Sequence, residues 1–175
     1  MKILVIHPTD SSTDFLKLIY KDKNDWTIIN DCLISKEKLI KLINEHDRII
    51  MLGHGTAYGL INPLLGGYII DDSYAQILRN KETISIWCNS DQYFRRNMIK
   101  GFHTGMIISE TYEALYVLRK MPLSEEETLE NMNAFAKIVG ECIEESPLDM
   151  KSYILDKYDF NDDVTIFNRK NIIVL

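Results

Sequence analysis

Two residues able to do acyl-transfer chemistry stand at the ends of apolar runs. His54 lies within Gly53-His54-Gly55, directly after Arg48-Ile49-Ile50-Met51-Leu52, and Cys88 directly follows Thr83-Ile84-Ser85-Ile86-Trp87. A cysteine nucleophile needs a base or imidazolium to stabilise its thiolate, and hydrogen-bond donors for the oxyanion that forms when it attacks a carbonyl. Cys88 is followed by Asn89-Ser90-Asp91 and a helical pattern, so a strand-to-helix transition should offer free amides and a dipole favouring the thiolate. The glycines around His54 let a substrate approach closely and let the Gly55 amide turn inward.

These residues need a scaffold that brings strand ends together. Short continuous apolar runs alternate with helical patterns over the first 120 residues. Ile3 to Ile6 reads as a strand stopped by His7-Pro8, and Ser11-Ser12-Thr13-Asp14 has the form of a capping box before a helix. Trp26 to Ile29 is a second strand, Ser35 caps a helix carrying Leu39, Ile40, Leu42 and Ile43, and Arg48 to Leu52 is a third strand. Such βαβαβ order requires crossovers and a mostly parallel sheet. The Gly-rich stretch from Gly55 to Asp72 reads as a hairpin-like excursion. A helix follows around Tyr74 to Leu78, then the strand ending at Cys88, a helix around Tyr93 to Ile99 and a fifth strand over Thr104 to Ile108. Beyond it, Tyr112 to Leu118 reads as a helix. Ser124 and Glu127 open a long amphipathic helix with Leu129, Met132, Ala136, Val139 and Ile143 on one face, and Val164 to Phe167 with Ile172 to Leu175 read as one or two terminal strands. The expected architecture is therefore α/β, three αβα layers around a mostly parallel sheet, with residues 1–175 forming one domain.

An apolar strand ending in His-Gly, followed in chain order by one ending in Cys, resembles the signature of the caspase-like (clan CD) cysteine peptidases, which include caspases, metacaspases, legumains and gingipains. The resemblance spans residues 1–118 and leaves 119–175 as an acidic helical segment with the terminal strands. It implies a caspase-like fold with Cys88 as nucleophile, His54 as general base or acid, and the amides of Gly55 and Cys88 as the oxyanion hole. Trp87 stands where the family often has a small residue. An acidic pocket for an arginine or lysine side chain would draw on Asp10, Asp14, Asp91 or Glu110.

Each residue also has a plainer reading: Cys88 as a buried structural thiol, His54 as a turn histidine bonded to backbone, Asp10, Ser11 and Asp14 as helix caps, and His103 as a loop residue at the start of the fifth strand. The expected activity is a cysteine hydrolase acting on a peptide or protein. The alternatives are a catalytically inactive module of the same fold that binds a protein partner, and, more remotely, a flavodoxin-like ligand binder. No cofactor is called for: Gly53-His54-Gly55 lacks the GxGxxG spacing of dinucleotide sites, and His54, Cys88, Asp91 and His103 have no metal-ligand spacing.

Composition narrows the partners. The 175 residues are 46% hydrophobic and 26% charged with a net charge of -6, the range of an ordinary globular domain and the wrong sign for general phosphate-backbone binding. The acidity is local, because residues 123–175 hold five bases against twelve acids while residues 1–122 are near neutral. Three cysteines without CxxC spacing suggest reduced thiols, and the four apolar residues after Lys2 are too few for a signal peptide, so a cytoplasmic protein binding neither membrane nor nucleic acid is expected.

Overall fold

The computed structural model describes all 175 residues. A six-stranded sheet runs in the order β2 (Thr27–Ile29), β1 (Ile3–Ile6), β3 (Arg48–Leu52), β7 (Glu82–Ile86), β8 (Gly101–Thr104) and β9 (Ile172–Val174). Every neighbouring pair is parallel except β8 with β9. Between β3 and β7 the chain leaves the sheet for three short antiparallel strands, β4 (Gly55–Thr56), β5 (Gly59–Ile61) and β6 (Tyr68–Ile70), which form the expected excursion.

Strand alternation divides the apolar runs between two cores, as a sheet covered on both faces requires. Ile3, Val5, Ile50, Leu52, Ile84 and Ile86 pack on one face with Leu16 and Ile19, and with Phe135 and Val139 of a long helix, α5 (Glu125–Cys142). Leu4, Ile6, Ile49 and Met51 pack on the other with Leu39 and Ile43 of α1 (Lys36–Glu45), Leu78 of α2 (Ala75–Leu78), and Tyr93 and Phe94 of α3 (Ser90–Arg96). The remaining helices are α4 (Thr111–Leu118), α6 (Pro147–Lys157) and α7 (Asp163–Lys170). The segment after residue 118 is integral to the sheet: α5 and α6 cover one face and β9 completes an edge.

Five expectations change in detail. The first helix is a nine-residue 3-10 helix, Ser11–Ile19, and its cap is Asp10, whose carboxylate accepts from the Ser12 amide at 3.0 Å. The fifth strand is Gly101–Thr104, not Thr104 to Ile108. The Gly105 amide still bonds in register to the Asn171 carbonyl at 2.8 Å, but beyond it the Ile108 amide goes to the Asn168 side chain at 2.8 Å, so Ile107 and Ile108 are buried without pairing in the sheet. His103 consequently lies inside β8, fully buried, and is not a loop residue. Val164 to Phe167 is helical, because the Asp162 carboxylate caps the Thr165 amide at 2.8 Å and Val164, Thr165 and Asn168 share one buried face. In α5, Leu129 is exposed, and the inward stripe runs instead through Thr128, Met132, Phe135, Ala136 and Val139.

Candidate active site

The order β2-β1-β3-β7-β8 reverses direction between β1 and β3, and in open α/β sheets ligands bind outside the carboxyl ends of the strands at such a switch point. The loops reaching that edge are Pro8 to Ser12 after β1, Gly53-His54 after β3, Trp87-Cys88-Asn89 after β7 and Gly105 to Glu110 after β8.

His54 and Cys88 are brought together as walls of one small cavity of about 30 Å3, completed by Phe15, Trp87, Ile107 and Ser109 among others. That is room for about one water molecule. The two side chains are otherwise engaged. The Cys88 thiol donates to the Ile107 carbonyl, with Sγ 3.6 Å away, and burial pushes its pKa up to about 11. The expectation of a resting thiolate is therefore overturned. Burial is the chief cause, and the nearby Glu113 carboxylate also opposes ionisation.

The Cys88 turn is held rigidly from below. Asn89 adopts the left-handed conformation at φ 64°, tolerable for asparagine, and its amide donates to the Gly105 carbonyl at 3.0 Å. Ser90 Oγ donates to the Thr104 carbonyl at 2.8 Å, and Thr104 Oγ1 donates to the Trp87 carbonyl at 2.9 Å. The Cys88 N–H itself has no hydrogen-bond acceptor in the protein.

His54 is half-buried between β3 and β4. Its carbonyl accepts from the Ile61 amide at 2.8 Å, which makes Gly55 and Leu60 a non-hydrogen-bonded antiparallel pair. The Gly55 N–H therefore takes no part in the β4–β5 ladder. On the side chain, Nε2 lies 2.7 Å from Ser12 Oγ and 4.0 Å from the Asp10 carboxylate. Ser12 Oγ also donates to Asp10 at 2.7 Å, and chiefly this hydroxyl holds the Asp10 carboxyl below the usual range. Nδ1 has no partner in the protein. Ser12 is thus a site residue that the sequence alone reads only as part of a cap; its place four residues after Pro8, in the loop that follows the β1 stop, is the available signal.

Beside the small cavity, and sharing Phe15 and Ser109 with it, lies a cleft of about 420 Å3. Its other walls include Ser12, Glu110, Tyr112, and Glu125, Thr128 and Leu129 of α5. Of the four acids proposed for a pocket, Asp10 lies beside His54 and Glu110 lines this cleft while also capping α4. Asp14 and Asp91 do not line either space. Asp14 pairs with Lys17 at 2.6 Å on an exposed face, and Asp91 faces Arg95 one turn along α3 at 3.6 Å, so both are spent in local helix pairs. Glu125 is the cleft acid the sequence did not reveal, because its position in the first turn after Ser124 reads as an ordinary helix start.

His103 lies outside both spaces. Its ring stacks on Phe94 at 4.0 Å, Nδ1 meets Ser85 Oγ at 2.8 Å, and Nε2 is buried without a partner. No group of three or more His, Cys, Asp or Glu side chains is arranged to hold a metal ion, and no helix is long and apolar enough to cross a membrane.

No protein-family model, curated protein or solved structure matches this chain. The class that fold and geometry define is an α/β protein with a histidine, a cysteine and the free Cys88 N–H at the switch-point edge of its sheet.

Proposed function

We propose that this chain is a caspase-like cysteine hydrolase acting on a peptide or protein at a basic residue. The observation that carries the reading is the convergence of His54 and Cys88 on one cavity, beside an acidic cleft large enough for a side chain. The Cys88 sulfur attacks the scissile carbonyl carbon while its proton passes to His54. The carbonyl π electrons move onto oxygen, which accepts from the Gly55 and Cys88 N–H groups. Collapse breaks the C–N bond, and the departing amine takes the proton from His54. Water, deprotonated by His54, then cleaves the thioester to a carboxylate and restores the thiol. Because the resting thiol is neutral, proton transfer belongs to the encounter with substrate and not to a preformed ion pair. An arginine or lysine side chain suits the cleft, where Glu110 and Glu125 supply charge and Phe15, Tyr112 and Leu129 cover the aliphatic stem.

The test is proteomic. Incubated with a mixture of denatured proteins, the full chain should generate new C-termini ending in Arg or Lys, detected by mass spectrometry, and Cys88→Ala should abolish them. An unchanged terminus pattern with wild-type protein contradicts the reading.

Two observations favour a second reading, a non-catalytic interaction module. The thiol is engaged by Ile107, and α4 leaves Tyr112, Leu115 and Tyr116 exposed with only Ala114 buried. A flavodoxin-like anion site after β1 is disfavoured, because the Asp10 carboxylate already occupies the Ser12 amide there.

A further inference from the structure

We infer that Asp10 and Ser12 form a one-directional hydrogen-bond relay that fixes the proton of neutral His54 on Nε2 and leaves Nδ1 as the base. The Ser12 hydroxyl has one proton and two close neighbours, Asp10 Oδ1 and His54 Nε2, each at 2.7 Å. An ionised carboxylate can only accept, so that proton points to Asp10. Two acceptors cannot sit 2.7 Å apart without a proton between them, so the contact from Ser12 to His54 is made by an Nε2–H donating to the hydroxyl oxygen. Asp10 is itself held in place as the cap of the 3-10 helix, accepting from the Ser12 amide at 3.0 Å as well as from its hydroxyl. The hydrogen bonds that hold its carboxyl below the usual range keep it an acceptor at neutral pH.

The consequence falls on the other nitrogen. With Nε2 committed, Nδ1 is the unpartnered nitrogen of a ring that walls the Cys88 cavity. Ser12 and Asp10 are positioning residues, since they act through His54. The proton assignment stands on the geometry alone; the role of Nδ1 as base for Cys88 rests on the hydrolase reading.

Nitrogen NMR of full-length protein carrying labelled histidine reads the tautomer directly. His54→Gln assigns one of the four imidazoles, and spectra are taken in mildly alkaline buffer. Wild type should show Nε2–H and a bare Nδ1. Ser12→Ala should yield a mixture of tautomers and Ser12→Thr should restore the single form. Asp10→Asn should also mix them, because an amide can donate to Ser12 and reverse the chain. The buried His7 and His103 signals report that each variant is folded. A wild-type Nδ1–H tautomer, or an unchanged Nε2–H in Ser12→Ala, overturns the assignment. If the tautomers behave as expected but no variant changes the rate at which a peptidyl ketone modifies Cys88, the relay survives and the hydrolase role of His54 fails. If both hold, Ser12→Ala should slow that modification roughly tenfold or more.

Discussion

The indole N–H of Trp87 donates to the Thr56 carbonyl at 3.1 Å, joining the residue before the cysteine to the strand after the histidine. The ring lies so close to Gly55 that a Cβ added there would sit 2.1 Å from the indole Cδ1. A large residue before Cys88 is thus accommodated by the absence of a side chain at Gly55, and the two loops of the candidate site brace each other through it.

Gly55→Ala should therefore be destabilising although the residue does not need a positive φ. The added methyl meets the indole and also the Gly59 carbonyl at 2.7 Å, an overpacked contact costing about 1–3 kcal/mol. Calorimetry should show a melting temperature lower by roughly 2–12 °C for a chain of this size. An unchanged melting temperature would mean that the Trp87 ring moves freely and does not brace the loop.

The buried histidines make stability depend on pH. Burial, aided by the Lys17 charge, pushes the His7 imidazole down to about 4, and burial with the Arg95 charge pushes His103 down to about 3. Both are depressed below the ~6.5 of an unfolded histidine, so between those values the unfolded chain binds more protons. Their contribution is complete above about pH 6.5 and is lost as the pH falls through the folded values. Urea midpoints should decline over that window, and His7→Gln should flatten part of the decline. A midpoint independent of pH from 7 to 4 would contradict the burial of both rings.

His103 and Ser85 form a polar pair in an apolar setting, with His103 Nε2 unsatisfied. Removing one partner strands the other, whereas replacing both by apolar groups can be neutral or stabilising. His103→Phe should lose about 1–3 kcal/mol alone and recover most of it when combined with Ser85→Ala. Additive losses in the double-mutant cycle would show that the pair is not coupled.

Charge in the cleft should set side-chain preference. Glu125 starts a helix at an exposed end, so Glu125→Lys should cost only about 0.3–1 kcal/mol of stability from the helix dipole. The same change should cut modification of Cys88 by an arginine-bearing peptidyl ketone by roughly tenfold while sparing a norleucine analogue. Equal effects on both reagents would remove the cleft from substrate recognition.

The parallel sheet, its two cores and the placement of His54 and Cys88 were legible because unbroken apolar runs mark strands buried on both faces, and their last residues must reach one edge. Three things were not. The Thr104 to Ile108 run is as apolar as any strand, yet the Asn168 side chain, sixty residues away in sequence, captures the Ile108 amide. The Val164 to Phe167 run is too short to show helical period, and only its Asp162 cap separates helix from strand. The state of Cys88 depends on a carbonyl and an enclosure that no local pattern encodes, so strand-end placement alone pointed to an ionised thiol.

The central claim, that His54 and Cys88 act on one carbonyl, is tested most directly by trapping. An arginine-bearing peptidyl ketone, which needs both a nucleophile and a poised proton donor, is incubated with the full chain at neutral pH and the intact mass is followed with time. One adduct should form per chain, map to Cys88 and not to the buried Cys32 or Cys142, and slow by at least roughly a hundredfold in His54→Ala. Absence of the adduct, or a rate indifferent to His54, would contradict it.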